Sequence, residues 1–310
     1  MARVFVTREL PGPALDRLRA LHETVVWPER LPPPYEVLRE QSAAADGVLT
    51  LLTDRVDAAL IEAAPRLVAI SNYAVGVDNV DLAAAARRGI PVGHTPEVLT
   101  EATADLAFAL LLAAARRLPE AIEVARRDWL TWEPGALLGA EVHGATLGII
   151  GYGRIGRAVA RRAAGFDMTV LTTSSGSARG AELDGLLRES DFVSIHCPLT
   201  LATHDLIDRE ALARMKPTAI LVNTARGAIV DSAALADALH AGQLAGAALD
   251  VTDPEPLPPD HSLWSAPNLL VVPHIGSATH ATRERMTEIA VENLLAALDG
   301  RPMPFQVNRS

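Results

Sequence analysis

The chain has 310 residues, 49% hydrophobic and 21% charged, a globular composition rather than a disordered or fibrous one. That length is long for one core, so two domains are expected. A formal charge of −10 argues against a nucleic-acid-coating role, and the single cysteine, Cys197, excludes an intrachain disulfide and fits a reducing, cytoplasmic setting.

The N-terminus enters a strand without a signal-peptide pattern. Over the first hundred residues, 4–7, 25–27, 48–52 and 67–71 read as strands, and 14–21, 35–41 and 58–63 have helical spacing. This alternation predicts a parallel sheet with helices on both faces. The segments 51–54 and 72–78 follow strands, where open α/β sheets bind ligands, so both are candidate substrate loops. Residues 97–117 predict one long helix, apolar enough to lie buried between layers or domains. It contains Asp105 and its apolar part is too short to span a bilayer. Thr100 and Thr103 at its start either cap it or face a ligand. Residues 128–143 read as an irregular arm.

A second α/β run begins at Thr146. The apolar segment 147–150 breaks into Gly151-x-Gly153-x-x-Gly156, and a helical pattern follows. In a dinucleotide site the first glycine permits a tight turn and the second admits a pyrophosphate. The third lets helix and strand pack closely, and the helix N-terminus faces the phosphates. The strand–turn–helix context is what makes this short motif specific. Residues 168–172, 192–196, 219–224, 247–251 and 269–272 predict further strands. Helical patterns cover 183–190 and 232–240, and an amphipathic one closes the chain over 279–298.

Three charged groups follow strands of this second half: Arg226, Glu255 and His274. An arginine forks onto a carboxylate. A histidine paired with a carboxylate is oriented to donate a proton. Together they suit hydride reduction of a 2-keto acid. Taken singly, each has a plainer reading: a surface ion pair, a solvated turn acid and a hydrogen-bonded structural histidine. His94, His196, His274 and His280 lack zinc-site spacing, so no metal is expected. His196 and Cys197 end a strand, where a backbone lining a cofactor is favoured over nucleophilic chemistry.

Five segments in order, 72–79, 151–156, 223–227, 249–256 and 273–279, resemble those of the D-2-hydroxyacid dehydrogenase family over essentially the whole chain. Segments 51–57, 277–283 and 301–304 favour the glyoxylate/hydroxypyruvate reductase branch. The resemblance implies two flavodoxin/Rossmann-like doubly wound parallel-sheet domains with a cleft between them. One is a substrate domain, 1–98 completed by 287–310; the other is a dinucleotide-binding domain, 99–286. It implies that Arg226 binds the substrate carboxylate and keto oxygen, with His274 as acid/base and Glu255 its partner. Leu52 and the backbone of Val75 and Gly76 would line the substrate. Asp250 would hold the nicotinamide carboxamide. Besides the glycines of the turn, Thr103, Arg154, Ile155, Cys197, Pro198, Thr203, Thr224, Ala225, His274 and Gly276 would line the cofactor.

The implied partners are a small 2-keto acid and a second copy of the chain, through the long helix and the arm, with no nucleic acid or membrane. Glu255, where a formate dehydrogenase would need glutamine, and the absence of a regulatory extension favour the reductase branch. A dinucleotide-sensing corepressor on the same fold is the alternative of a different class. The chain departs from the family's NAD-preferring pattern after the second nucleotide-domain strand. Ser174 stands where an acid would bind ribose hydroxyls. Ser174, Ser175 and Arg179 offer a phosphate pocket, so NADP(H) is the expected cofactor, with NAD(H) possible.

Overall fold

A computed structural model of the chain describes residues 1–173 and 180–308. The chain divides into two compact units, Met1–Leu99 with Ala278–Ser310, and Thr100–Ser277.

In the first unit β1 (Arg3–Val6), β2 (Glu23–Val26), β3 (Gly47–Leu51), β4 (Ala69–Tyr73) and β5 (Val92–Gly93) form one parallel sheet in the order β2-β1-β3-β4-β5. Side chains alternate across it, as a period of two requires. Phe5, Val48 and Ile70 pack with Leu38 of α2 (Tyr35–Ala44), Leu60 of α3 (Ala58–Glu62) and Ala84 of α4 (Leu82–Arg87). Val4, Val6 and Leu49 pack on the opposite face with Leu15 and Leu18 of α1 (Ala14–Leu21) and with the C-terminal helix, His280–Leu298.

That last helix was expected to be amphipathic and to change domain midway, near residue 286. Instead the return to the first unit comes at Ala278, ahead of the helix. Met286, Ile289, Ala290, Val291, Asn293, Leu294 and Leu295 are all buried, because the helix packs along β3, β4, β5 and α1.

The second unit starts with α5 (Thr100–Ala115) and α6 (Leu118–Arg127). Its strands are β6 (Thr146–Ile150), β7 (Thr169–Thr173), β8 (Phe192–Ile195), β9 (Ile220–Asn223), β10 (Gly246–Leu249) and β11 (Leu269–Val271). All pair in parallel, in the order β11-β10-β9-β8-β6-β7. Helices α7 (Arg154–Ala164), α8 (Ala181–Glu189), α9 (Arg209–Arg214) and α10 (Ser232–His240) cover the faces, and the C-terminal helix of the first unit is α11. Leu147, Ile149, Phe192 and Val222 face α5 and α7, whereas Val193, Ile195, Leu221 and Leu249 face α8 to α10. A fully buried Leu147 or Leu221 contributes roughly 1.5–3 kcal/mol.

The helix expected over 97–117 is shorter. Glu97 is left-handed at φ 71, so regular helix begins only at Thr100. Arg117, at φ 49, breaks the chain before α6, which carries Pro119 in its first turn and buries no residue. Within its own unit α5 buries one side, through Ala104, Phe108 and Leu111, and leaves Ala109 exposed. Residues 128–143 contain no helix or strand, as expected of an arm. Among the described residues no helix is long and apolar enough to cross a membrane, and no cluster of three metal-ligating side chains occurs.

Candidate active site

The glycine turn follows β6, the strand flanked by β7 and β8. Gly151 is at φ 95, and a Cβ there would lie 2.5 Å from the Cys197 amide nitrogen. A Cβ at Gly156 would strike the carbonyl oxygen of Gly151, so α7 can sit this close to its strand only without a side chain there. Around Gly153 the space is open. The three glycines thus divide turn, approach and packing as a dinucleotide site requires. No side chain caps α7, and the N–H groups of Ile155 and Gly156 have no partner among the described residues. They are available to an anion at a helix N-terminus.

One residue past the paired ends of β8 and β9 stand His196 and Thr224. His196 Nδ1 and Thr224 Oγ1 are buried polar atoms without a hydrogen-bond partner among the described residues. Buried polar atoms rarely stay unpaired, so this end of the sheet fits a polar ligand. His196 Nε2 pairs with Ser194 Oγ at 2.8 Å, and burial pushes the imidazole down to about 4, keeping it neutral. Burial pushes the Cys197 thiol up to about 11, so it is no nucleophile at neutral pH. Thr203 Oγ1 is occupied locally: it donates to Pro198 O at 2.7 Å and accepts from Thr200 N–H at 2.8 Å, closing the turn after β8. Ser174, Ser175 and Arg179 lie outside the described residues.

His274 and Glu255 meet directly. His274 Nδ1 donates to Glu255 Oε1 at 2.7 Å, which leaves Nε2 as the outward nitrogen. Glu255 Oε2 also accepts from the Thr252 N–H, at 3.4 Å. The loop that carries Arg226 packs against the Thr252–Asp253 backbone through Gly227, where a Cβ would strike the carbonyl of Thr252 and come within 2.5 Å of the Asp253 nitrogen. Asn223, the last residue of β9, clamps this loop: Oδ1 accepts from Ala225 N–H at 3.0 Å and Nδ2 donates to Arg226 O at 2.8 Å.

His274 has a left-handed backbone, φ 51, a strained conformation that surrounding bonds must hold. Its N–H donates to Asp250 O and Val272 O, at 2.9 and 3.0 Å. The Asp250 carboxylate takes the next two amides, Ile275 at 2.6 Å and Gly276 at 2.8 Å. Burial raises the Asp250 carboxyl above its ordinary value, more than the two amides lower it. Thr103 Oγ1 donates to Gly276 O at 3.3 Å, so it ties α5 to this loop and is not a helix cap.

In the first unit Leu52 borders a surface hollow of about 410 Å³ shared with Asp54, Asp57, Asp78 and Asp81. Four carboxylates against the single cation of Arg55, which pairs with Asp57 at 2.8 Å, make that hollow a poor place for an anion. Val75 and Gly76 offer the opposite polarity: among the described residues their N–H groups have no partner. Asn72 Nδ2 donates to Gly76 O at 3.1 Å and to Asn79 Oδ1 at 3.0 Å, and Asn79 Nδ2 donates to Leu51 O and Asp54 O, stitching the two candidate loops together.

The NAD-binding-domain model of the D-isomer specific 2-hydroxyacid dehydrogenases matches residues 108–276. The chain belongs to that family. It is an oxidoreductase that uses a nicotinamide dinucleotide. A glyoxylate reductase of Korarchaeum cryptofilum is 49% identical over 318 residues, 99% of this chain and 96% of that protein. A crystal structure from Thermus thermophilus matches with a TM-score of 0.92 at 53% identity, over 98% of this chain and 99% of the other. The NADPH-dependent glyoxylate/hydroxypyruvate reductase of Sinorhizobium meliloti, in complex with NADP and malonate, matches with a TM-score of 0.87 at 33% identity, over 98% and 96%.

Sequence reasoning about this dehydrogenase missed the two asparagines and Gly227. The signal was there in part, since Asn72 and Asn223 each end an apolar strand just before a candidate loop. That Gly227 packs against the Thr252–Asp253 backbone could not be read from spacing, because the contact spans 25 residues of sequence.

Proposed function

We propose that this dehydrogenase is a glyoxylate/hydroxypyruvate reductase that prefers NADP(H), with His274 as proton donor. The carrying observation is the Glu255–His274 pair, which fixes the imidazole tautomer and leaves Nε2 to deliver the proton. The bound reduced nicotinamide supplies the hydride. The amides of the glycine turn would hold its pyrophosphate, and Thr224, Ala225, Cys197 and Pro198 would line it. Asp250 uses two of its roughly four acceptor positions on the loop amides, and the others suit a carboxamide. In the second unit Arg226 would fork onto the keto acid, and in the first unit the amides of Val75 and Gly76 would suit a carboxylate. Nε2 then protonates the carbonyl oxygen, while the Glu255 carboxylate complements the charge on the imidazolium.

The substrate reading draws on the glyoxylate reductase of Korarchaeum cryptofilum, and the cofactor reading on the NADP-bound Sinorhizobium meliloti enzyme. Ser174 in place of an acid, with Ser175 and Arg179 nearby, points the same way. A homodimer is the assembly we infer, since α6 buries nothing and Trp129, Leu130, Trp132 and Leu138 are exposed. The test is a panel of 2-keto acids with NADPH and NADH, on the wild type and on Ser174→Asp, with mass measured by light scattering. Glyoxylate or hydroxypyruvate should be the best substrate, NADPH should exceed NADH, and Ser174→Asp should narrow or reverse that gap. Equal efficiency with NADH in the wild type sinks the cofactor preference; no turnover of either acid sinks the substrate; a monomer sinks the assembly.

A further inference from the structure

We infer that His94 is a positioning residue: its imidazole fixes the backbone loop that presents the Val75 and Gly76 amides, and so sets affinity for the substrate carboxylate. The inference rests on the carboxylate reading of that loop given above. Three successive carbonyls are held from three different donors. Thr95 N–H reaches Ala74 O at 2.8 Å, His94 Nδ1 reaches Val75 O at 2.9 Å, and Asn72 Nδ2 reaches Gly76 O at 3.1 Å. A carbonyl only accepts, so Nδ1 carries the hydrogen. The peptide unit is planar and trans, which sets the C=O of one residue opposite the N–H of the next. Holding Ala74 O therefore aims the Val75 N–H, and holding Val75 O aims the Gly76 N–H. The second of these is the work of His94.

His94 is itself braced on both sides. Its N–H donates to Phe305 O at 3.1 Å, and its carbonyl accepts from Asn293 Nδ2 at 2.9 Å. Asn293 Oδ1 in turn takes the Phe305 N–H at 2.9 Å. The approach of Asn293 depends on Gly93, where a Cβ would lie 2.8 Å from the asparagine side chain. The imidazole thus reaches Val75 from a backbone locked between α11 and the C-terminal tail, and the bond needs little further ordering of the side chain.

The test compares His94→Leu, which removes the donor, with His94→Asn, whose amide nitrogen lies about where Nδ1 does. His94→Leu should raise KM for glyoxylate about three- to tenfold, the value of one neutral hydrogen bond. Turnover and NADPH affinity by fluorescence titration should hold, and His94→Asn should restore KM. Should His94→Leu not fold, His94→Gln takes its place, since its longer side chain carries the amide past the Nδ1 position. An unchanged KM, a loss spread equally over kcat and cofactor affinity, or no rescue by asparagine overturns the assignment. A wild-type crystal with NADPH and oxamate separates the two readings. A carboxylate away from the Val75 and Gly76 amides defeats the reading of the loop, and one on them beside an insensitive KM defeats His94 alone.

Discussion

In both units the aspartate just ahead of the third strand accepts from the first N–H of the first strand. Asp46 takes that of Arg3 at 2.7 Å, and Asp191 takes that of Thr146 at 2.9 Å. Each carboxylate also pairs with a cation placed shortly before the fourth strand, Arg66 at 3.0 Å and Lys216 at 2.7 Å. At the other end of each sheet, an asparagine of the fourth strand clamps the loop that follows, Asn72 in one unit and Asn223 in the other. There the likeness stops. The loop after β4 presents backbone amides, whereas those after β9, β10 and β11 carry Arg226, Glu255 and His274. One end of such a sheet holds strands together, and the other is where chemistry can change. On the function proposed above, anion binding would fall to the first unit and proton chemistry to the second.

The strongest test of that division is His274→Ala. Loss of a general acid typically costs about 10²–10⁴-fold in rate, so kcat should fall by that much while NADPH affinity and melting temperature hold. Turnover near the wild-type value in the folded variant would take the proton chemistry out of the second unit.

The two asparagines sharpen the comparison at a smaller scale. Asn223→Ala strands the Ala225 amide and the Arg226 carbonyl, and Asn72→Ala strands the Gly76 carbonyl. A lost hydrogen bond at these half-buried groups costs about 0.5–1.5 kcal/mol, so each variant should lose about three- to tenfold in kcat/KM for the keto acid. Only Asn223→Ala should also weaken NADPH binding, because Thr224 and Ala225 line the proposed cofactor site. Equal cofactor losses in both would erase the distinction between the units.

The sequence exposed the candidate site of the second unit more fully than that of the first, though helices went unread in both, among them α6 and α9 of the second. Helices α1 and α10 match their expected spans, Ala14–Leu21 and Ser232–His240, because each repeats its apolar residues at helical spacing between clear breakers. Helix α4 went unread, since Leu82–Arg87 holds a run of four alanines with no apolar period. Strand β5 is two residues long and gives no alternation to detect. His274, Glu255 and the three glycines were visible because charged groups and glycines stand out behind apolar strands. The proposed role of the Val75 and Gly76 amides rests on family resemblance, as backbone donors leave no mark on residue type. The support beneath them, His94 and Asn293, joins residues 199 apart and is a property of the fold alone.

The smallest predicted effect concerns the shared aspartates, and it probes the part of the comparison in which the units agree. Burial raises each carboxyl, but the strand amide and the cation more than reverse this, so Asp46 and Asp191 both lie below the ordinary 3.8. A carboxylate lowered in the folded state contributes stability above its unfolded value and loses it as pH falls through the folded one. Asp191 and Lys216 are 37% and 36% exposed, so solvent screening limits the pair to about 1 kcal/mol or less. Asparagine keeps an acceptor for the strand amide and removes the charge, with the second oxygen that faces the cation. Asp46→Asn and Asp191→Asn should therefore each lower the midpoint by about 2–4 °C or less at neutral pH. Scanning calorimetry near pH 3 should find the gap to wild type narrowed in both, because the native carboxylates are then being protonated. A gap that persists undiminished in acid would mean that the aspartates hold their sheets by shape rather than charge, and a gap in one variant alone would end the likeness between the two units.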